Sequence, residues 1–217
     1  MLTIKIFKMK KFINIKLLLL TIILVLNSCS KDDDPKLIPI ESSQMKNLHA
    51  PQLSDYSTNP PTVSGDFVKF DFSSGNITSD EKEWDIAFRG TTIALNGGSD
   101  TGTAGEPSRN GNAAAYIEED LFSNVNKVDE SSFTQDGANG FSIPTGSGNG
   151  WYNYNPMNRQ ISPIAGKIIV IRTADNFYAK MEILSYYKDL DPSNPANGRY
   201  YTFNYVYQPN EGVKSFD

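Results

Sequence analysis

Few side chains in this 217-residue chain can do metal or nucleophile chemistry, and they stand far apart. There is one His, His49, and one Cys, Cys29. A single Cys excludes a disulfide framework and any multi-thiolate zinc site. A single His excludes His-rich metal sites and leaves no Ser–His pairing in which His49 itself takes no part. Sulfur is the other donor: Met157, between Pro156 and Asn158-Arg159, falls in a polar turn with no evident packing role, and thioether sulfur can serve as an axial ligand of haem iron. Met181 falls mid-strand and reads as core, and Met45 and His49 lie in the segment before the folded body. Just before Met157 comes an aromatic cluster, Trp151, Tyr152 and Tyr154. Exposed at a sheet edge, it suits a flat apolar ligand or a sugar ring; turned inward, its alternate members are core.

Other constellations carry less. Gly146-x-Gly148-x-Gly150 runs into Trp151 and a strand-like segment, whereas a phosphate-binding fingerprint requires a helix after its glycines. Asp189, Asp191, Asn194 and Asn197 lack the spacing of a calcium loop and are interrupted by two Pro, so they read as a solvated turn. Glu118, Glu119 and Asp120 are adjacent and cannot share one site. No acid–base or nucleophilic set stands out, which points to a binding protein and not an enzyme. The net charge of −5 argues against a nucleic-acid partner, because phosphate binding needs a basic surface.

The elements that must position these residues are strands. Residues 66–72 place Val68, Phe70 and Phe72 on one face, and residues 83–88 do the same for Trp84, Ile86 and Phe88. Residues 91–95 form a further short strand. The unbroken Ile168–Ile171 run within 167–173 predicts a strand covered on both faces. Residues 177–187 and 199–207 predict an antiparallel pair joined by the loop 188–198. The one helical candidate is short, around 116–124. Residues 96–112 and 134–150 are long loops, which in compact domains are functional or disordered. The expected fold is all-β, mainly antiparallel, with at most one short helix.

The N-terminal segment reads as an export and anchoring signal over residues 1–28. Five Lys precede an apolar run, Leu17–Leu26, too short for a permanent membrane span. Leu26-Asn27-Ser28-Cys29 resembles a bacterial lipobox, in which Cys29 is acylated and becomes the first mature residue. Removing the five signal Lys takes Lys+Arg from 20 to 15 against 25 Asp+Glu, a mature charge of −10. Residues 29–61 are expected to be the lipidated Cys, an acidic tether and an irregular lead-in, and residues 62–217 the β domain. Lys31-Asp32-Asp33-Asp34 resembles the tags that send lipoproteins to the outer face of the outer membrane.

Several segments together resemble the HmuY family of haem-binding lipoproteins. They are the lipobox at Cys29, Trp84-Asp85-Ile86-Ala87-Phe88-Arg89, Asn96-Gly97-Gly98, the Gly-x-Gly-x-Gly run into Trp151, Lys167–Arg172, Tyr178–Tyr187 and Arg199–Tyr207. The resemblance spans roughly residues 64–209. It implies an HmuY-like β fold and a haemophore that takes haem from host carrier proteins and delivers it to a TonB-dependent outer-membrane receptor. It also implies two axial ligands, His or Met, on the iron. The first is best matched by Met157, with Trp151, Tyr152 and Tyr154 around the macrocycle. The stretch matching the second, 129–150, contains neither His nor Met. That ligand is missing or comes from elsewhere, His49 or a Tyr. The alternative is a glycan- or protein-binding surface lipoprotein on the same fold that has lost haem ligation.

Overall fold

The computed structural model describes residues 36–59 and 61–217. The expected signal segment, Cys29 and the Lys31–Asp34 tag lie outside the described residues. Ile38–Asp217 form one compact unit. No helix among the described residues is long and apolar enough to cross a membrane.

The described residues form thirteen strands: β1 (Ser42–His49), β2 (Leu53–Asp55), β3 (Thr62–Ser64), β4 (Val68–Asp71), β5 (Asn76–Thr78), β6 (Ile86–Arg89), β7 (Thr92–Leu95), β8 (Ala114–Glu119), β9 (Tyr152–Asn155), β10 (Gln160–Pro163), β11 (Lys167–Arg172), β12 (Tyr178–Tyr187) and β13 (Gly198–Gln208). A five-stranded sheet runs β1-β13-β12-β11-β8 and a four-stranded sheet runs β5-β4-β6-β7, with β9–β10 and β2–β3 as separate hairpins. Every pairing between these strands is antiparallel. The all-β expectation holds; among the described residues the only helical pieces are three single 3-10 turns.

The Ile168–Ile171 run explains the layering. Ile169 and Ile171 face the main core, shared with Phe70, Ile86, Phe88 and Leu95 of the four-stranded sheet. Ile168 and Val170 face the opposite way, into a second core closed by Val125 and Phe216. Both faces of β11 are buried, as a continuous apolar strand requires. Trp84, expected beside Ile86 and Phe88, instead packs with Phe67, Ala87 and Ala94 behind the four-stranded sheet. It precedes β6, so strand alternation does not bind it. On β12 the register shifts between Ile183 and Ser185. Such a bulge resets which face a side chain takes, and it returns Tyr186 to the face of Met181 and Ile183.

Two expectations need correction. Residues 116–124 do not form a helix: Ala114–Glu119 is β8, paired to β11 as Ala115↔Ile171 and Ile117↔Ile169. Pairing to the buried edge of β11 decides the matter, as tertiary context overrides weak local preference. The lead-in is not wholly irregular either. Ser42–His49 is an edge strand against β13, with Leu48 in the main core.

The long loops are ordered from within. Asn96, fully buried, donates from Nδ2 to the carbonyls of Lys82 and Trp84, while its Oδ1 accepts from the amides of Asn110 and Gly111. The next residue, Gly97, is pressed against Ala113, and any Cβ there would stand 1.9 Å from the Ala113 carbonyl oxygen. Arg109 bridges Glu106 at 2.6 Å and Asp136 at 2.9 Å, which ties residues 96–112 to the loop 134–150.

Candidate functional site

Trp151 is where the strand alternation of the aromatic cluster resolves. Its indole Nε1 donates to the Thr91 carbonyl, and its ring lies against Tyr152, Tyr186 and Tyr201. It is 2% exposed and Tyr152 is 7% exposed. The inward-packed alternative therefore describes both residues: neither presents its ring to solvent, and they root the β9–β10 hairpin in the core. Tyr154, two residues on, faces outward at 43% exposure. Gly150 is pressed against the Pro144 carbonyl, so the glycine run is a tight approach to the hairpin, and a strand follows it.

The hairpin tip is Pro156-Met157-Asn158-Arg159. The Asn155 carboxamide accepts from the Met157 amide, and the Asn158 carboxamide accepts from the Gln160 amide. Both are side-chain turns of the kind Asn favours. Met157 is held in this turn with its side chain 92% exposed. Behind the tip, the Tyr187 hydroxyl accepts from the Ile161 amide at 2.8 Å, and Gln160 donates to the Pro192 carbonyl. These bonds fix the hairpin against β12 and the loop 188–198.

Between hairpin and sheet lies a cleft of about 520 Å³, within the usual size of small-molecule sites. Its walls come from the hairpin (Asn158 to Ile161), from β12 (Tyr186, Tyr187), from the loop Pro192–Ala196, and from the start of β13 (Gly198 to Tyr200). His49, at the end of β1, completes the lining. Its imidazole stacks on Tyr200 at 4.3 Å between ring centroids, with 12° between planes. His49 and the turn that carries Met157 thus border one cleft. Nothing in the local sequence around His49 signals this, because its placement comes from pairing with Tyr200 of the last strand. Burial pushes the Tyr186 phenol well above its ordinary range, so it stays a neutral hydroxyl at the back of the cleft.

The polar turn read at 188–198 holds. Asp191 accepts from the Ser193 amide and from the Asn197 carboxamide, and Asn194 accepts from the Ala196 amide. Asp189 accepts from the Asn47 carboxamide at 2.7 Å, while its own amide donates to Asn47. These residues satisfy one another, as in a closed loop.

Among the described residues six other than Gly take a left-handed backbone, and five of them, Asn47, Arg159, Asp189, Leu190 and Arg199, lie on the cleft or on the segments that build it. For residues with a Cβ this conformation costs roughly 1–2 kcal/mol each, and such strain concentrates at functional sites. Arg159→Gly is therefore expected to raise stability by about 0.5–1 kcal/mol, after allowing for the greater freedom of Gly when unfolded. A urea midpoint at or below that of the parent contradicts the expectation.

The sequence profile described as "HmuY protein" matches residues 64–205. The chain belongs to the HmuY family. This HmuY-family chain is similar in structure to a protein described as a lipoprotein from Bacteroides fragilis, at 14% identity and TM-score 0.45, covering 80% of this chain and 96% of that one. It is similar to one described as an HmuY-like haem-binding protein from Bacteroides vulgatus, at 15% identity and TM-score 0.42, covering 79% and 93%. It is also similar to the apo form of an HmuY analogue from Tannerella forsythia, at 15% identity and TM-score 0.34, covering 82% and 100%. No curated protein matches it. The family match spans both sheets from β4 onward, the β9–β10 hairpin and most of β13; the strand carrying His49 lies before it.

Proposed function

We propose that this HmuY-family chain is a haem-binding lipoprotein, a haemophore that captures haem for iron acquisition and passes it to an outer-membrane receptor. The observation that carries the proposal is that His49 and the turn bearing Met157 border the same cleft. An imidazole nitrogen and a thioether sulfur both serve as axial donors to haem iron. The Met157 side chain is exposed and free of packing duties, and the stacked Tyr200 ring holds the His49 imidazole in one plane. Ile161 and the Pro192 and Pro195 rings give the cleft apolar surface for a flat macrocycle. Bound haem would supply the iron chemistry; the chain would supply donors and shape.

Acylation at Cys29 would hold the domain at a membrane, and each buried acyl CH₂ contributes about 0.8 kcal/mol to that anchoring. The acidic Lys31–Asp34 stretch supports an outward-facing location on the outer membrane. Host haem carriers and a TonB-dependent receptor are the partners such a protein would meet.

A hemin titration followed in the Soret band tests the reading. A saturable shift is expected, weakened roughly tenfold or more by Met157→Ala and likewise by His49→Ala, on the scale of losing a well-formed ligand contact. Absence of any shift in either iron oxidation state removes the haem reading. A shift untouched by both substitutions removes the ligand assignment.

A further inference from the structure

The cleft beside His49 is cationic in an acidic chain. Fourteen residues line it, among them Arg159 and Arg199, and none is Asp or Glu. The chain as a whole has 25 Asp+Glu against 20 Lys+Arg. Among the described residues, neither arginine pairs with a carboxylate. The acids of the adjoining loop stand off the cleft lining and are oriented by neutral donors: Asp189 by Asn47, and Asp191 by Ser193 and Asn197. A third cation, Lys188, stands 5.9 Å over the Tyr200 ring. Arg159 comes from the hairpin and Arg199 from β13, so the two charges approach from different walls, and each sits on a left-handed backbone that a glycine would occupy at lower cost.

Each guanidinium offers a planar fork of donors matched to a carboxylate. Cations with no carboxylate paired to them, lining a partly apolar cleft, favour an anionic ligand there. We propose that Arg159 and Arg199 form a carboxylate receptor within this cleft, which takes a flat, apolar ligand by an edge carrying two carboxylates. The proposal deepens the haem reading and rests on it for the choice of cleft and ligand class. It does not rest on iron, because the carboxylates and the metal lie on different parts of such a ligand.

The test separates the two. Iron-free protoporphyrin IX and its dimethyl ester are titrated against the whole chain by fluorescence, and again against the double variant R159Q/R199Q. The free acid is expected to bind saturably, and the ester at least tenfold more weakly. The double variant should lose at least tenfold for the acid and change little for the ester. Equal affinity for acid and ester, no binding of the acid, or an unchanged double variant overturns the proposal. If the double variant loses its cooperative urea transition, R159K/R199K replaces it. That variant keeps the charge but not the fork, and the acid should still bind it several-fold more weakly than the parent; equal binding overturns the proposal. The hemin Soret shift is recorded in parallel. Acid-selective porphyrin binding with no Soret shift retains the carboxylate receptor and removes iron ligation. A Soret shift with equal acid and ester affinity does the reverse.

Discussion

Asp136→Ala is expected to cost about 3–5 kcal/mol, the loss typical of breaking a buried charge network. Asp136 is 3% exposed. One carboxylate oxygen accepts from the Leu95 amide at 2.9 Å and from the Arg109 guanidinium at 2.9 Å, and the other accepts from the Ser142 amide at 2.8 Å. An alanine leaves two backbone N–H groups without a partner in the interior, at roughly 1–3 kcal/mol each where no water reaches them. Arg109 would keep Glu106, which limits the damage on that side. Domains of this kind hold only about 5–15 kcal/mol in total, so the variant should unfold at much lower urea with an unchanged slope. Asp136→Asn, which keeps one oxygen for an amide, should fall between variant and parent. A midpoint within experimental error of the parent would show that the two long loops are not joined through this residue.

Asp85→Asn should change the pH dependence of stability more than its size. The Asp85 carboxylate accepts from the Phe72 amide at 2.9 Å and from the Ala174 amide at 2.8 Å, which pins the end of β4 to the β11–β12 turn. Burial pushes this carboxyl up to about 7, and Asp71 and Asp175 add to the rise, while the two amides oppose it. The ordinary value is 3.8, so the folded chain holds a proton over this interval that the unfolded chain has released. Stability from this group is complete below about pH 4, declines as pH rises to about 7, and is level beyond. At about 1.4 kcal/mol per unit the interval amounts to about 4 kcal/mol. The asparagine does not ionise, though its amide nitrogen faces one backbone donor and should cost about 1 kcal/mol. Urea midpoints at pH 4 and pH 8 should therefore show the variant weaker than the parent at pH 4 and stronger at pH 8. Parallel profiles for the two chains would sink the idea.

Legibility from sequence followed burial. The Ile168–Ile171 run announced a doubly covered strand because four consecutive apolar residues must be buried on both faces and β-branched side chains favour the strand over the helix. The pair β12 and β13 was equally plain, since long aromatic alternation has few other uses. β1 was not legible: Ser-Ser-Gln-Met-Lys-Asn-Leu-His is polar, and an edge strand buries little beyond Leu48. β8 was misread because Tyr116 to Asp120 satisfies helical spacing about as well as strand alternation, and its register is fixed by a distant partner. The site divides in the same way. The exposed Met157 follows from Pro-Met-Asn, a turn with nothing to bury. The inward direction of Trp151 and Tyr152 depends on which face of a hairpin meets the core, which alternation alone does not state. His49 entered as a candidate ligand only because the chain has no other His; its place on the cleft was hidden for the reason β1 was hidden as a strand.

The pairing of β1 with β13 also sets an order of events. Gln44 meets Asn204 across 160 residues of chain, and the Ile38 amide meets the Asn210 carboxamide across 172. In the sheet β1 touches β13 alone, so it has no partner until the last strand has been made. Contacts of such separation form slowly, because the loop must close before they are rewarded. A growing chain therefore keeps β1 open until β13 has been made, and His49 gains its stacking partner only when Tyr200 is in place. The cleft itself is thus assembled only once β13 is in place, and a chain cut short before β13 would lack it however well its other sheet had formed.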